Sequence, residues 1–281
     1  MVGSLAIPRG ANRSAHTRQA VARVQRVRIA VLADIHGNLP ALRAVLNELD
    51  QEPVDAIVVA GDVVGGPLVR ETLELLAARR EPTRWVRGNC EREAVAVYDG
   101  APVSDDAAGR AAAWSARALD SRWRDELAAV PISLGLDDVR FCHGSPRRDD
   151  EILTRTTPDD VLTEALADVA EPLIVGGHTH QQLIRSINGT VTYANAGSVG
   201  MPYEGRPAAF WMIVEGGVPD LRETSYDLTE AVQELRASGF SDVEEQLGGS
   251  LLDPTDPGWV SAFFEHGAGR CEDPGEPPSA A

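Results

Sequence analysis

Five short blocks of this chain carry side chains suited to holding divalent cations. They read Asp34-Ile35-His36, Gly61-Asp62, Gly88-Asn89-Cys90-Glu91, His143-Gly144 and Gly177-His178-Thr179-His180. Together they contain four of the six histidines. Carboxylate and amide oxygens and imidazole nitrogens are the donors that borderline divalent ions accept. Singly, each block is ordinary. Asp-x-His suits a cap, Gly-Asp and Gly-Asn suit turns, and a lone histidine suits a hydrogen-bonded core position. Gly-His-Thr-His says more, because alternating histidines in extended chain can reach a metal cluster from one loop.

The elements that must position these blocks are legible in the apolar pattern. Residues 28–33 form a β-rich run ending at Asp34, and Asn38 caps a helix with Leu39, Leu42, Leu46 and Leu49 on one face. Residues 56–60 form a buried strand ending at Gly61-Asp62. Pro67 opens a second helix through Leu76, and a strand over 83–86 runs into Gly88-Asn89. Strand and helix alternating in this way predict a parallel α/β unit. An alanine-rich helical insert follows over about 91–130, a lid or side wall of a site or simply helices packed on the sheet. Strands resume at 139–142 and 173–176. A hairpin over 183–187 and 190–194 turns at Asn188-Gly189. Runs at 208–214 and 221–226 read as antiparallel, and 228–266 as helices and turns. The layout is α/β: a two-sheet β-sandwich flanked by helices in one domain over 28–266, with a disordered extension at 1–27 and a disordered tail at 267–281.

Bulk properties bound the function. A formal charge of -17 opposes a nucleic-acid surface, so no stable nucleic-acid complex is expected. No run approaches the roughly 18 apolar residues of a membrane span, and no membrane partner is expected. All 26 basic residues are arginine, which reads as coding bias. Three cysteines without paired spacing predict a reducing, cytoplasmic setting. Residues 1–27 carry five arginines and no acid, a composition that fits a transit peptide and equally a disordered tail or an early start codon.

The order of the five blocks, each placed near a strand end, resembles the calcineurin-like metallophosphoesterases over about residues 28–226. The Asn89-Cys90 pair and the loop Asn195-Ala-Gly-Ser-Val-Gly-Met-Pro202 are similar to the small bacterial phosphodiesterase-like branch. The resemblance implies a four-layer α/β/β/α fold and two divalent ions, Mn²⁺ foremost, with Fe or Zn²⁺ acceptable to the same donors. Asp34, His36 and His180 would hold one ion and Asn89, His143 and His178 the second, with Asp62 bridging. Asp62, Asn89 and His143 would then be catalytic in an in-line attack of a metal-bridging hydroxide on a small phosphate ester.

One departure bears on the substrate. Many relatives have histidine after the metal-binding asparagine, where it helps protonate the leaving oxygen; here it is Cys90. A thiol is a poor acid for that step, so Cys90 reads as a small packing residue at the site edge, and phosphodiesters or activated esters are the expected substrates. Cys90, Arg92, Ser198, Tyr203 and Arg206 are the candidate substrate contacts, and Arg147-Arg148 a further place for a phosphate oxygen. Glu91 reads as a solvated residue at a helix start, with orienting substrate or supporting the ligands as the other reading. Nucleotide-polyphosphate hydrolysis, protein phosphatase activity and a non-catalytic scaffold of the same fold are the alternatives.

Overall fold

A computed structural model describes residues 27–278; the arginine-rich stretch ahead of Val27 lies outside them. The first half alternates as expected: β1 (Arg28–Leu32), α1 (Leu39–Leu49), β2 (Ala56–Ala60), α2 (Val69–Ala77) and β3 (Thr83–Val86). The insert folds as three helices, α3 (Asn89–Tyr98), α4 (Ala107–Ala118) and α5 (Ser121–Ala128). A second set follows: β4 (Ser133–Leu136), β5 (Val139–Cys142), α6 (Asp159–Ala165), β6 (Leu173–Gly176), β7 (Leu183–Ile187), β8 (Val191–Asn195), β9 (Ala209–Glu215) and β10 (Val218–Thr224). The chain ends in α7 (Leu228–Ala237), α8 (Val243–Leu247), a π-turn over Gly248–Leu252, and α9 (Pro257–Gly267).

The strands form two five-stranded sheets, ordered β10-β9-β1-β2-β3 and β4-β5-β6-β8-β7. Within the first, β1, β2 and β3 are parallel and β9 and β10 antiparallel; within the second, β5, β6 and β8 are parallel and β4 and β7 antiparallel. The two-residue period of extended chain assigns the layers. Ile29 and Val31 of β1, beside Met212 of β9, face Phe141 and Val175 in the core between the sheets. Ala30 and Leu32 point the other way, onto Leu42, Val45 and Leu73 of α1 and α2. The second sheet is covered on its outer face by α6 through Leu162 and Ala165. The result is the expected sandwich of two sheets between helical layers.

Local differences have local causes. β4 was not expected; it is a half-exposed strand too short to show a pattern, joined to β5 by Asp137 in the left-handed region. β10 starts three residues before the expected run, because Gly216 and Gly217, both at positive φ, close a tight hairpin at once. The Asn188-Gly189 turn occurs as expected, with φ of 51° and 69°. Pro67 lies ahead of α2 rather than inside it, its carbonyl accepting from Trp114 Nε1. Within residues 267–278, Arg270 bonds Glu265 and the carbonyl of Ile152, and Trp259 Nε1 donates to the carbonyl of Gly275. A buried carboxylate needs a cation, and Arg270 brings the chain back to supply it.

Candidate metal centre

Asp34 and Asp62 follow the C-terminal ends of β1 and β2, Asn89 opens α3 after β3, and His143 and His178 follow β5 and β6. The two sheets therefore deliver donors to one edge of the sandwich from both sides. Backbone bonds knit the delivering loops together: Asp34 N–H to the carbonyl of Gly61, His36 N–H to that of Asp62, and Gly177 N–H to that of His143. His178 N–H donates to Asp34 Oδ2 at 2.9 Å, which ties the second sheet to the first.

The loops are strained where they turn. Asp34, His36, Asp62, His178 and His180 all hold φ between 47° and 70°, in the left-handed region. Side chains other than glycine enter it at a cost of about 1–3 kcal/mol each. Gly177 is needed beside them, since a Cβ there would lie 2.6 Å from Asp34 Oδ2.

The donor atoms converge. His36 Nε2 and His180 Nε2 are 3.1 Å apart, and His180 Nε2 lies 3.2 Å from Asp34 Oδ1. His143 Nε2 is 3.3 Å from Asp62 Oδ2 and 3.7 Å from Asp34 Oδ1. Atoms of Asp34, His36 and His180 fall within 4.8 Å of one another, and so do those of Asp62, His143 and His178. His143 Nδ1 donates to the carbonyl of Ala60 at 2.7 Å and His180 Nδ1 to that of Met201 at 2.7 Å. Each bond turns Nε2 toward the cluster, the arrangement metal-ligating imidazoles adopt once that nitrogen has given up its proton.

Three buried atoms here have no hydrogen-bond partner: Asp34 Oδ1, Asn89 Oδ1 and His143 Nε2. Leaving such groups unpaired costs about 1–3 kcal/mol apiece. Asp34 Oδ1 and His143 Nε2 lie 3.7 Å apart within the ligand cluster, where a cation would satisfy both. The donor set fits divalent ions of the Mn, Fe or Zn type.

Protonation follows from the same crowding. Burial alone would discharge His143, but Asp62 and Asp34 outweigh it and hold its pKa up to about 10. His36 and His178 go the other way, to about 4, because burial and neighbouring histidines disfavour a further charge. Burial works to raise the Asp62 carboxyl, yet His143 and the other imidazoles hold it well below the usual range. One proton on His143 thus partly balances two carboxylates, a balance that cations would take over.

Of the five candidate substrate contacts, the structure brings two to this edge. The Cys90 thiol donates to Asp62 Oδ2 at 3.1 Å, and its N–H to Oδ1 at 2.9 Å. Tyr203 stacks on His180 with centroids 5.1 Å apart. The other three do other things. Ser198 is fully buried, its hydroxyl donating to the carbonyl of Asp34 and accepting from Met201 N–H, so it holds the loop behind the cluster rather than touching a ligand. Arg92 is bound to Asp149 and Asp150, and Arg206 pairs with Glu223 over the ring of Phe210. Arg147 and Arg148 are likewise taken by Glu151, Glu164 and Asp150. An acid-rich surface claims its arginines.

Glu91 is not a solvated helix-start residue but stands behind the ligands. It is buried, and its carboxylate accepts the N–H groups of Asp62, Val63, Val64 and Gly88. It therefore fixes the loop that carries Asp62. Burial and the Asp62 charge push its pKa up to about 7 against those four donors. The signal was present: Gly88-x-x-Glu91 is capping-box spacing at the start of α3.

Comparisons with known proteins bear on the family and the fold. The calcineurin-like phosphoesterase superfamily domain matches residues 27–215. The uncharacterized protein MJ0912 of Methanocaldococcus jannaschii is 26% identical over 230 residues, 74% of this chain and 91% of that protein. A metallophosphoesterase from Sphaerobacter thermophilus superposes with a TM-score of 0.65 at 25% identity, covering 81% of this chain and all of that one. The hypothetical protein PH1004 from Pyrococcus horikoshii superposes at 0.68 with 21% identity, covering 78% of this chain and 96% of that one, and so shares the fold. None of the described helices is long and apolar enough to cross a membrane. With a match over most of its length and the matching fold, this chain belongs to the calcineurin-like phosphoesterase superfamily.

Proposed function

We propose that the chain is a dinuclear metal-dependent phosphoesterase acting on phosphodiesters or activated phosphate esters. The observation that carries this reading is the convergence of two donor sets, Asp34-His36-His180 and Asp62-His143-His178, whose atoms fall within 4.8 Å in each, with Asp34 Oδ1 and His143 Nε2 left unpartnered among them. Asp34, His36 and His180 would hold one ion, Asn89, His143 and His178 the other, and Asp62 would lie between them. Two bound ions would supply Lewis acidity to the phosphoryl oxygen and to the attacking water.

The chain's own groups do the rest. Glu91 and Cys90 fix both Asp62 oxygens and the backbone behind them. The carbonyls of Ala60 and Met201 hold the rings of His143 and His180 in one tautomer. No histidine stands at position 90 to protonate a departing alkoxide, and the thiol there is engaged with Asp62 and pushed above its ordinary range by burial and that carboxylate. Leaving groups that depart without a proton suit such a site, which supports aryl diesters over alkyl monoesters. The test is turnover of bis(p-nitrophenyl) phosphate and glycerol phosphate by the Mn²⁺-loaded protein. The aryl diester should be preferred by at least about 10²-fold in kcat/KM, and Asp62→Asn should remove its turnover. Preference for glycerol phosphate would overturn the substrate assignment.

A further inference from the structure

Beside the ligand cluster lies a cavity of about 290 Å³ that reaches His36 and Cys90. Its inner wall is Met201 and Tyr203, and small residues of α4, among them Ala108, keep its side open. Its outer wall is Phe240, Asp242, Glu245 and Gln246, at and just ahead of α8. These four lie beyond residue 215, where the superfamily domain match ends. The cavity's outer half is therefore built by the C-terminal helices, past the matched domain.

Three features define what fits. The surface is mainly apolar and aromatic, so it takes an organic group better than a further phosphate. The rim is acidic: Asp242 and Glu245 share one cation, Arg110, at 2.6 Å and 3.7 Å, which leaves a net negative charge. The lining residues include no arginine to receive a second anion. Finally, Gln246 is fixed by its amide N–H to the carbonyl of His36, while its buried Oε1 has no partner. A buried acceptor left open beside a cavity calls for a donor on the occupant.

Building on the phosphoesterase reading, we propose that this cavity selects esters whose organic group is apolar, carries an amine or hydroxyl donor and has no negative charge. An amine would meet the aromatic walls and the acidic rim as well as Gln246. Nucleotide polyphosphates, with their additional anions, would be rejected at Asp242 and Glu245.

The test uses three hydrolysis-resistant probes on the full, Mn²⁺-loaded chain: benzylphosphonate and its para-aminoethyl and para-carboxymethyl derivatives, titrated by calorimetry against inorganic phosphate. The aminoethyl compound should bind at least tenfold tighter than the carboxymethyl one, with benzylphosphonate between. Exposed Glu245→Arg should narrow that gap at least threefold. Exposed Ala108→Phe should weaken all three against inorganic phosphate, whose affinity should hold. Equal binding of the two charged derivatives, or both variants matching wild type, would overturn the cavity's assignment. Turnover of bis(p-nitrophenyl) phosphate by the same preparations separates the two readings: probe selectivity without turnover removes the hydrolase and keeps the cavity, and turnover without selectivity does the reverse.

Discussion

Two of the places that bury carboxylates among the described residues solve the problem in opposite ways. At the loop edge, Asp34 and Asp62 are buried among imidazoles, with one Asp34 oxygen unpaired and five donor residues in left-handed backbone. At the C-terminal end, Glu265 is buried with Thr154 and Thr157 donating to Oε1, each at 2.5 Å, and Arg270 binding Oε2. The second cluster closes on itself with ordinary protein groups. The first holds unsatisfied atoms and strain that the fold retains, and such features persist where surrounding structure overdetermines them for a task. A buried charge alone therefore does not mark a site. What distinguishes it is polar capacity left open and aimed at a shared volume.

The sharpest way to break the comparison is to loosen what holds Asp62. Glu91→Ala strands four N–H groups in the interior. It should cost about 2–4 kcal/mol in a denaturant titration and lower Mn²⁺ affinity at least about tenfold. Unchanged metal affinity would show that Glu91 serves the fold alone.

At the other cluster, Glu265→Gln should cost about 1–3 kcal/mol, since two threonine bonds and the Arg270 pair weaken. It should leave Mn²⁺ affinity as in wild type. A loss of metal binding there would erase the contrast between the two regions.

The smallest effect is in pH. Burial opposes the Glu265 charge, but Arg270, Thr154 and Thr157 outweigh it and hold the carboxyl below the usual range. A carboxylate depressed by folding stabilises the native state above its unfolded pKa, and that contribution fades as pH falls through the folded value. The stability gap between wild type and Glu265→Gln should therefore be constant above about pH 5 and shrink toward pH 3. A gap that widens with acid would contradict the assignment.

Much of this was legible in the sequence because the ligand blocks and the strands ahead of them are local signals. The core strands of both sheets were read within a residue or two, since buried parallel strands are short apolar runs. The two sheets and their helical layers followed. What stayed hidden depends on contacts across the chain. Arg92 and Arg206 read as free cations because nothing local shows Asp149 or Glu223 facing them. Ser198 read as a substrate contact although its hydroxyl is spent on Asp34, 164 residues away in sequence. The outer wall of the cavity comes from helices after residue 228 whose pattern reveals an apolar face but not what it covers.

Metal stoichiometry tests the central claim most directly. Purified chain stripped by chelation and dialysed against Mn²⁺ should retain two ions per chain by plasma mass spectrometry, with a rise in Tm that grows with free Mn²⁺ as ligand linkage requires. Asp62→Ala should retain one ion or none. A wild-type chain that retains no metal and shows no shift, or an Asp62→Ala chain that retains two, would contradict a dinuclear centre built on these residues.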